Sequence, residues 1–122
     1  MSDIIFNWLR GFPGLELLQR QQVEALPGGS GLYYRGCKVL SSSRDLVGNL
    51  RCRKLQRFRI CRYGQGLENA LFFTMLSAWV ETNAPALGFD QTASLENAHC
   101  VRDDGALALW EADLELTYWE AL

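Results

Sequence analysis

Apolar and polar residues alternate most regularly near the C-terminal end of the chain. One parity is apolar and the other mostly acidic: Ala108, Trp110, Ala112, Leu114, Leu116 and Tyr118 against Glu111, Asp113, Glu115 and Thr117. Successive side chains of a strand point to opposite faces of a sheet, so this pattern predicts a half-buried strand over 106–119. Asp103-Asp104-Gly105 separates it from a second extended run over 92–102. Asp-Gly between two such runs is typical of a β-hairpin.

A second alternating segment lies at 50–63, where the odd-numbered positions are mostly basic. The basic set is Arg51, Arg53, Arg57 and Arg59, and the apolar set is Leu50, Cys52, Phe58 and Ile60. This pattern predicts a half-buried strand with one arginine-rich face. Lys54 and Gln56 interrupt the apolar parity and Leu55 interrupts the basic one, so we expect a bulge or bend near the middle of the strand.

Apolar residues recur every three or four positions between Leu67 and Glu81, which predicts a helix. The stripe consists of Leu67, Ala70, Leu71, Met75, Ala78 and Trp79, widened by Phe72, Leu76 and Val80. So wide a stripe is expected to lie across a sheet, and Asn83 with Pro85 should end the helix.

The N-terminal half is less regular. Ser2 or Asp3 is expected to cap a short helix carrying Ile4, Ile5, Trp8 and Leu9, which Gly11 and Pro13 end. Residues 15–26 fit either a helix or a strand ending at Leu26, with a slight preference for the strand. A turn over 27–31, a strand over 32–40 with a bulge at Gly36, and a polar loop from Ser41 are expected to follow.

These elements predict an α+β fold, with one long helix and a short N-terminal helix packed on a mostly antiparallel sheet. The 122 residues suit a single domain over 1–122. No apolar run approaches the roughly 20 residues that span a bilayer, and the N-terminus lacks a signal-peptide pattern, so we expect a cytoplasmic protein without membrane contact. The four cysteines form no C-x-x-C pair and are expected to be buried, reduced thiols.

Charge is divided unevenly along the chain. Residues 1–65 hold 11 Lys/Arg and 4 Asp/Glu, whereas residues 66–122 hold 1 and 10. The basic strand and the acidic hairpin are therefore expected to pair, either within one chain or between copies. A basic strand flanked by Tyr33, Tyr34 and Phe58 also suits the clamping of phosphates and the stacking of bases, so a nucleic-acid-binding module using residues 51–62 is the alternative.

Catalytic and cofactor motifs are not evident. Glu111, Asp113 and Glu115 are expected to be solvated acids rather than a catalytic pair. His99 and Cys100 are neighbours on a strand and should point to opposite faces, which makes a nucleophile pair geometrically poor. Gly28-Gly29-Ser30-Gly31 lacks the lysine of a phosphate loop. We expect a non-enzymatic protein with no cofactor and no metal.

The order of elements resembles that of a known family. The residues that carry the resemblance are the opening helix to Phe12-Pro13, Val23-Glu24-Ala25-Leu26-Pro27, Gly31 to Gly36, Phe58-Arg59-Ile60, Asn69 to Phe73, Leu76 to Trp79, Leu87-Gly88 and the closing strand to Tyr118. In order, spacing and length the chain is similar to the minor capsid or tail terminator proteins of long-tailed bacteriophages and their prophages.

The resemblance implies a virion structural protein that functions in head-tail joining. Proteins of that family form a homo-oligomeric, hexameric ring that ends the tail tube. The implied partners are other copies, the tail tube protein and a head-completion protein, with DNA passing through the ring lumen. The implied location is the host cytoplasm during assembly and then the virion tail.

A ring requires a heterologous interface, in which one surface of a subunit meets a different surface of the next. We hypothesise that the basic strand, residues 51–62, and the acidic hairpin, residues 103–120, form such an interface between subunits or with the tube, or that one of them lines the lumen through which DNA passes. The candidate residues are Arg51, Arg53, Arg57, Arg59, Glu111, Asp113, Glu115 and Trp119, of which Trp119 is expected to be exposed in the monomer.

Overall fold

The computed structural model describes residues 2–13, 15, 28–87 and 92–121. Over these residues, two helices and four strands follow one another: α1 Ser2–Leu9, β1 Gly29–Arg44, β2 Leu50–Gly64, α2 Gly66–Asn83, a 3-10 helix Ala84–Leu87, β3 Thr92–Asp103 and β4 Ala108–Ala121. Apart from Leu15, the segment that fits either a helix or a strand lies outside the described residues.

The four strands form one antiparallel sheet in the order β1-β2-β4-β3. The arginine-rich strand β2 therefore lies between β1 and the acidic strand β4, so that, of the two alternatives, the basic and acidic strands are neighbours within one chain. The expected α+β fold, with a long helix and a short N-terminal helix, is confirmed.

The core fills the space between one sheet face and the helices. α2 buries Asn69, Phe73, Leu76 and Val80. The sheet contributes Phe58, Ile60, Ala112, Leu114 and Leu116 to the same cluster. These sheet residues have the parity that both strand patterns predicted to be buried.

The predicted apolar stripe of α2 is wrong in part. Leu67, Leu71 and Met75 are 86%, 60% and 55% exposed, although the pattern assigned them to the sheet. The rotation of the helix is fixed at its first turn, where the Nδ2 group of Asn69 donates to the carbonyl oxygens of Gly64 and Ala108 at 3.0 and 2.9 Å. Since Asn69 points inward, residues four and seven positions later also point inward, and Leu71 does not.

The short N-terminal helix packs against the end of α2. Ile5 and Leu9 are fully buried. Nε1 of Trp8 donates to the carbonyl oxygen of Asn83 at 2.9 Å, and its ring lies 5.0 Å from that of Trp79. Phe12 then packs edge-on against Phe72. The aromatic contacts hold α1 in place despite its eight residues.

β1 is longer than its sequence predicts. Residues 29–31 of the turn expected over 27–31 belong to the strand, and so does the expected loop at Ser41-Ser42-Ser43. The strand pairs with β2 from Gly29↔Tyr63 to Arg44↔Leu50. Glycine and serine disfavour strands only weakly, and pairing with a neighbour that carries strong strand formers overrides this preference.

The strand irregularities lie in β1 rather than in β2. Register shifts flank Arg35 and Leu40, and Gly36, at φ 121, takes a backbone conformation that side chains disfavour. The expected bulge at Gly36 is therefore confirmed, whereas the expected break in β2 is wrong, because β2 pairs with β4 without a shift from Arg51↔Ala121 to Gly64↔Ala108. Lys54 breaks the apolar pattern since it forms an ion pair with Glu120.

The predicted C-terminal hairpin is confirmed, with Asp103 paired to Ala108. The cysteine prediction is correct only for half of the thiols. Cys52 and Cys61 are buried, whereas Cys37 and Cys100 are exposed on the two edge strands. All four are free.

Candidate subunit interface

All eight candidate residues lie on one face of the sheet, opposite the helices. They occupy odd-numbered positions of β2 and β4, which pair as Arg53↔Trp119, Arg57↔Glu115 and Arg59↔Asp113. Even-numbered positions of the same strands face α2, so the odd-numbered ones face away from it. We call this surface the charged face.

An ion cluster occupies the middle of the charged face. The Nε group of Arg59 donates to Oδ1 of Asp113 at 3.1 Å, and its Nη1 group donates to Oε2 of Glu111 at 3.3 Å. The hydroxyl of Tyr33 donates to Oε1 of Glu111 at 3.0 Å. Burial lowers the pKa of Arg59, but the hydrogen bond to Asp113 and the two carboxylate charges outweigh it, so this pKa lies above the usual value.

The expectation that the acids are solvated is wrong for Glu111, whereas Asp113 and Glu115 are partly exposed. Glu111 is only 3% exposed. A small apolar cluster shares this face, formed by Cys61 and Leu109 with Tyr33 and Tyr63 packed against them. Arg59 and Tyr33 bind the two oxygens of the Glu111 carboxylate, and these contacts offset the cost of burying it.

The rest of the charged face is more open. Nε of Arg57 lies 3.4 Å from Oε1 of Glu115, and both side chains are substantially exposed. The guanidinium carbon of Arg51 lies 5.4 Å from the ring centre of Trp119, while the neighbouring Arg53 is exposed. Trp119 is partly buried rather than exposed as predicted, because it lies beside β2 and under Arg51.

The inner arginines and the acidic strand thus pair within one chain. Arg57 and Arg59 meet Glu115, Asp113 and Glu111 of their own β4. Because these charges already balance within one chain, a neighbouring subunit is not needed to neutralise them. Arg51 and Arg53 give a basic character to the outer end of the face, beside the exposed Lys38 of β1.

His99 and Cys100 do not form a reactive pair. By register, His99 is opposite Glu111 and Cys100 is opposite Trp110, so they lie on different faces, as predicted. Nδ1 of His99 is 2.6 Å from the carbonyl oxygen of Asn97, whose φ of 61 marks the bulge in β3. Within the described ranges there is no group of three or more His, Cys, Asp or Glu placed to hold a metal ion.

Sequence reasoning missed two exposed apolar surfaces. The first is the helix stripe, formed by Leu67, Leu71 and Met75. Leu67, Leu71 and Met75 are spaced by four residues and form a row separate from the buried Phe73, Leu76 and Val80. These two rows were the signal in the sequence that the helix has a second apolar face.

The second surface is the hairpin tip, residues 45–49 between β1 and β2. Leu46 is fully exposed there and Val47 nearly so. Oδ1 of Asp45 accepts hydrogen bonds from the backbone N–H groups of Val47 and Asn49 at 3.0 and 2.9 Å. Gly48, at φ 86, completes the turn, and its carbonyl oxygen accepts a hydrogen bond from Arg44 at 2.8 Å. The tip is an ordered turn that presents two aliphatic side chains to solvent.

Comparison of the chain with protein-family models gave no match, and comparison with curated proteins gave none either. Among the described residues, no helix has the length and apolar character needed to cross a membrane.

Proposed function

We propose that this protein is a non-enzymatic structural subunit that assembles with copies of itself into a ring of the tail terminator kind, which ends a phage tail tube and joins it to the head. The proposal draws its biological setting from the resemblance of the sequence to tail terminators. Its physical support comes from the surfaces of the fold.

One observation carries the proposal: among the described residues, large apolar side chains are exposed on α2 and, separately, at the hairpin tip. The helix stripe lies on α2, and the hairpin tip lies at the far end of the sheet. Large apolar side chains grouped on a rigid surface are typical of contact sites, since leaving them in water is unfavourable. Two unlike contact sites on one chain are what a ring requires.

The charged face is compatible with a passive role in such a ring. Its central carboxylates are bound by Arg59, Arg57 and Tyr33, so they connect neighbouring strands of the sheet. The outer end, with Arg51, Arg53 and Lys38, is basic and suits a surface near DNA in the ring lumen.

The test is measurement of the particle mass and position. Light scattering should give the mass of the 13.8 kDa chain alone and with tail tubes of the same phage. Electron microscopy of tubes carrying a labelled copy should show the label at the head-proximal tip, with six copies per ring. A label spread along the tube, or absent from its tip, would contradict the proposal.

A nucleic-acid-binding module remains the alternative, and the packing of Arg51 on Trp119 beside Arg53 is the feature that favours it. The pairing of Arg57 and Arg59 with carboxylates disfavours it, because paired arginines are less available to phosphates. Steeply salt-dependent binding of DNA by a stable monomer, reduced in R53E, would support the alternative.

A further inference from the structure

The hairpin tip belongs to a basic arm of the sheet. Residues 35–57 hold seven Lys/Arg and one acid, Asp45. Lys54 and Arg57, at the inner part of that arm, pair with Glu120 and Glu115 of β4. Among the described strands, β3 extends only to Thr92, whose partner Thr117 lies opposite Leu55, so beyond Leu55 the arm has only β4 beside it. The arm therefore projects past the core, with an apolar tip and an excess of positive charge.

The helix stripe borders a groove beside an acidic helix, in contrast to the basic arm. A cavity of about 270 Å³ opens between α2 and the turn after α1, lined by Phe12, Pro13, Arg62, Glu68, Leu71, Phe72 and Met75. α2 carries Glu68 and Glu81 and no basic residue. Arg62 also borders the groove, but it donates to Oδ1 of Asn69 at 2.6 Å and lies over the ring of Phe72. The surface thus offers apolar contacts beside an exposed carboxylate.

The size of the groove favours side chains over a small ligand. Small-molecule sites occupy roughly 300 to 1,000 Å³ and enclose most of the ligand. This groove is smaller and open, and its exposed rim is aliphatic. One or two aliphatic side chains of another protein fit such a site better than a metabolite does.

A chain cannot place its own tip in its own groove. The hydroxyl of Ser77 in α2 lies 3.5 Å from the carbonyl oxygen of Leu95, whose row of the sheet passes through Leu114 to Phe58. The helix stripe precedes Ser77 in α2, so it lies between that row and the Gly64 end of β2. The tip lies in the other direction, beyond the Leu50 end of β2. Phe58 and Leu50 alone are separated by about 26 Å of extended strand.

We infer that the hairpin tip of one copy docks into the groove along the helix stripe of a second copy, with Leu46 and Val47 as the apolar anchors. Arg44, which is held at the tip by its hydrogen bond to Gly48, then faces Glu68 of the neighbour. The contact is heterologous, because tip and groove are different surfaces of one chain. This inference rests on the self-assembly that the proposed function includes, and it names the contact through which assembly occurs.

Disulfide trapping tests the contact directly. In a background with the exposed Cys37 and Cys100 changed to Ser, L46C and L71C chains of different tag length are mixed and oxidised. The expected product is the mixed dimer, with little dimer from either chain alone. V101C replaces L71C in the matched control, since Val101 is an exposed apolar residue on β3 away from the groove, and it should give no dimer with L46C.

Equilibrium measurements test the same contact without oxidation. L71E should raise the dissociation constant of self-association at least about tenfold, because a charged side chain replaces the leucine that lines the groove and contacts the tip. V101E should leave it within about twofold, and both Leu71 and Val101 are exposed enough for folding to survive the change. E68R should weaken association, and R44E in the same chain should restore part of it.

The outcomes separate this inference from the proposed function. Rings at the tube tip without a 46–71 cross-link would overturn the docking inference and leave the proposed function standing. Cross-linked assemblies that never occupy a tube tip would do the reverse. A chain that stays monomeric alone and on tubes would overturn both. If a soluble maleimide fails to label the introduced thiol of monomeric L71C, the groove is covered by its own chain, which would also overturn the inference.

Discussion

The hydroxyl of Tyr33 donates a 3.0 Å hydrogen bond to Oε1 of Glu111, so that side chains join β1 to β4 across the strand between them. Arg59 of that middle strand binds the other oxygen of the same carboxylate. Three strands thus share one buried acid on the face of the sheet opposite α1 and α2. This cluster explains how a face rich in charge adds to stability rather than opposing it.

Removal of the buried carboxylate should destabilise the fold. E111A removes the carboxylate that accepts from the Tyr33 hydroxyl and from Nη1 of Arg59, so the free energy of unfolding should fall by about 1–3 kcal/mol. E115A removes an exposed partner of Arg57 and should cost less than about 1 kcal/mol. Urea denaturation of both variants measures the difference. Equal losses of unfolding free energy in E111A and E115A would show that the buried contacts of Glu111 stabilise the fold no more than the exposed ion pair of Glu115 does.

Charge reversal at Arg59 should affect folding and not assembly. R59E places a third acid beside Glu111 and Asp113, and we expect a loss of about 2 kcal/mol or more in unfolding free energy. R53E is the matched control, since Arg53 is exposed on the same strand, and its effect should stay within about 0.5 kcal/mol. Light scattering on the folded fraction of R59E should give the wild-type particle mass; a smaller particle would contradict the pairing within one chain.

Asn69 is expected to be the most sensitive polar residue of α2. N69A removes donors to Gly64 and Ala108 and the acceptor for Arg62, and burial prevents water from replacing them. The expected loss is about 2–3 kcal/mol. T74A lies on the same helix but is exposed and bonds to the carbonyl oxygen of Ala70, which water can reach, so it should be nearly neutral. Thermal unfolding of the two variants decides between them.

The order of the hairpin tip should matter more to assembly than to folding. D45A removes the acceptor of two backbone N–H groups, but water can reach them, so stability should fall by only about 0.5–1 kcal/mol. Self-association should weaken more clearly, because a loose tip must be ordered on docking. Sedimentation velocity of D45A measures this effect, with S43A as the control because Ser43 is an exposed strand residue near the tip. Unchanged association in D45A would argue against the tip as an anchor.

Tyr118 should make stability depend on alkaline pH. Burial raises its pKa above the usual value of 10, with the charge of Cys37 as the next contribution. The unfolded chain then loses the phenolic proton first, so this contribution is complete below the ordinary pKa and falls as pH rises through the folded pKa. The difference in unfolding free energy between wild type and Y118F should therefore shift in favour of Y118F above about pH 10. A constant difference across that range would contradict the raised pKa.

The sequence by itself determined the elements whose residues repeat with a clear period. The alternation in residues 50–63 and 106–119 predicted both strands and which of their side chains are buried, because a strand places alternate side chains on opposite faces whatever its neighbours are. Their opposite charges predicted that they pair, but left open whether within one chain or between copies. Asp104-Gly105 located the hairpin for a similar local reason, and the spacing of apolar residues located α2. The eight interface candidates were placed on one face by the same parity.

The tertiary structure decided which partners those faces meet. Ser41-Ser42-Ser43 is strand rather than loop because β2 pairs with it, and Leu71 is exposed because Asn69 binds two carbonyl groups and sets the rotation of α2. Glu111 is buried because Tyr33, distant by 78 positions, reaches over β2 to it. Such outcomes depend on contacts between remote segments, and periodicity records only which side chains share a face, not what covers that face.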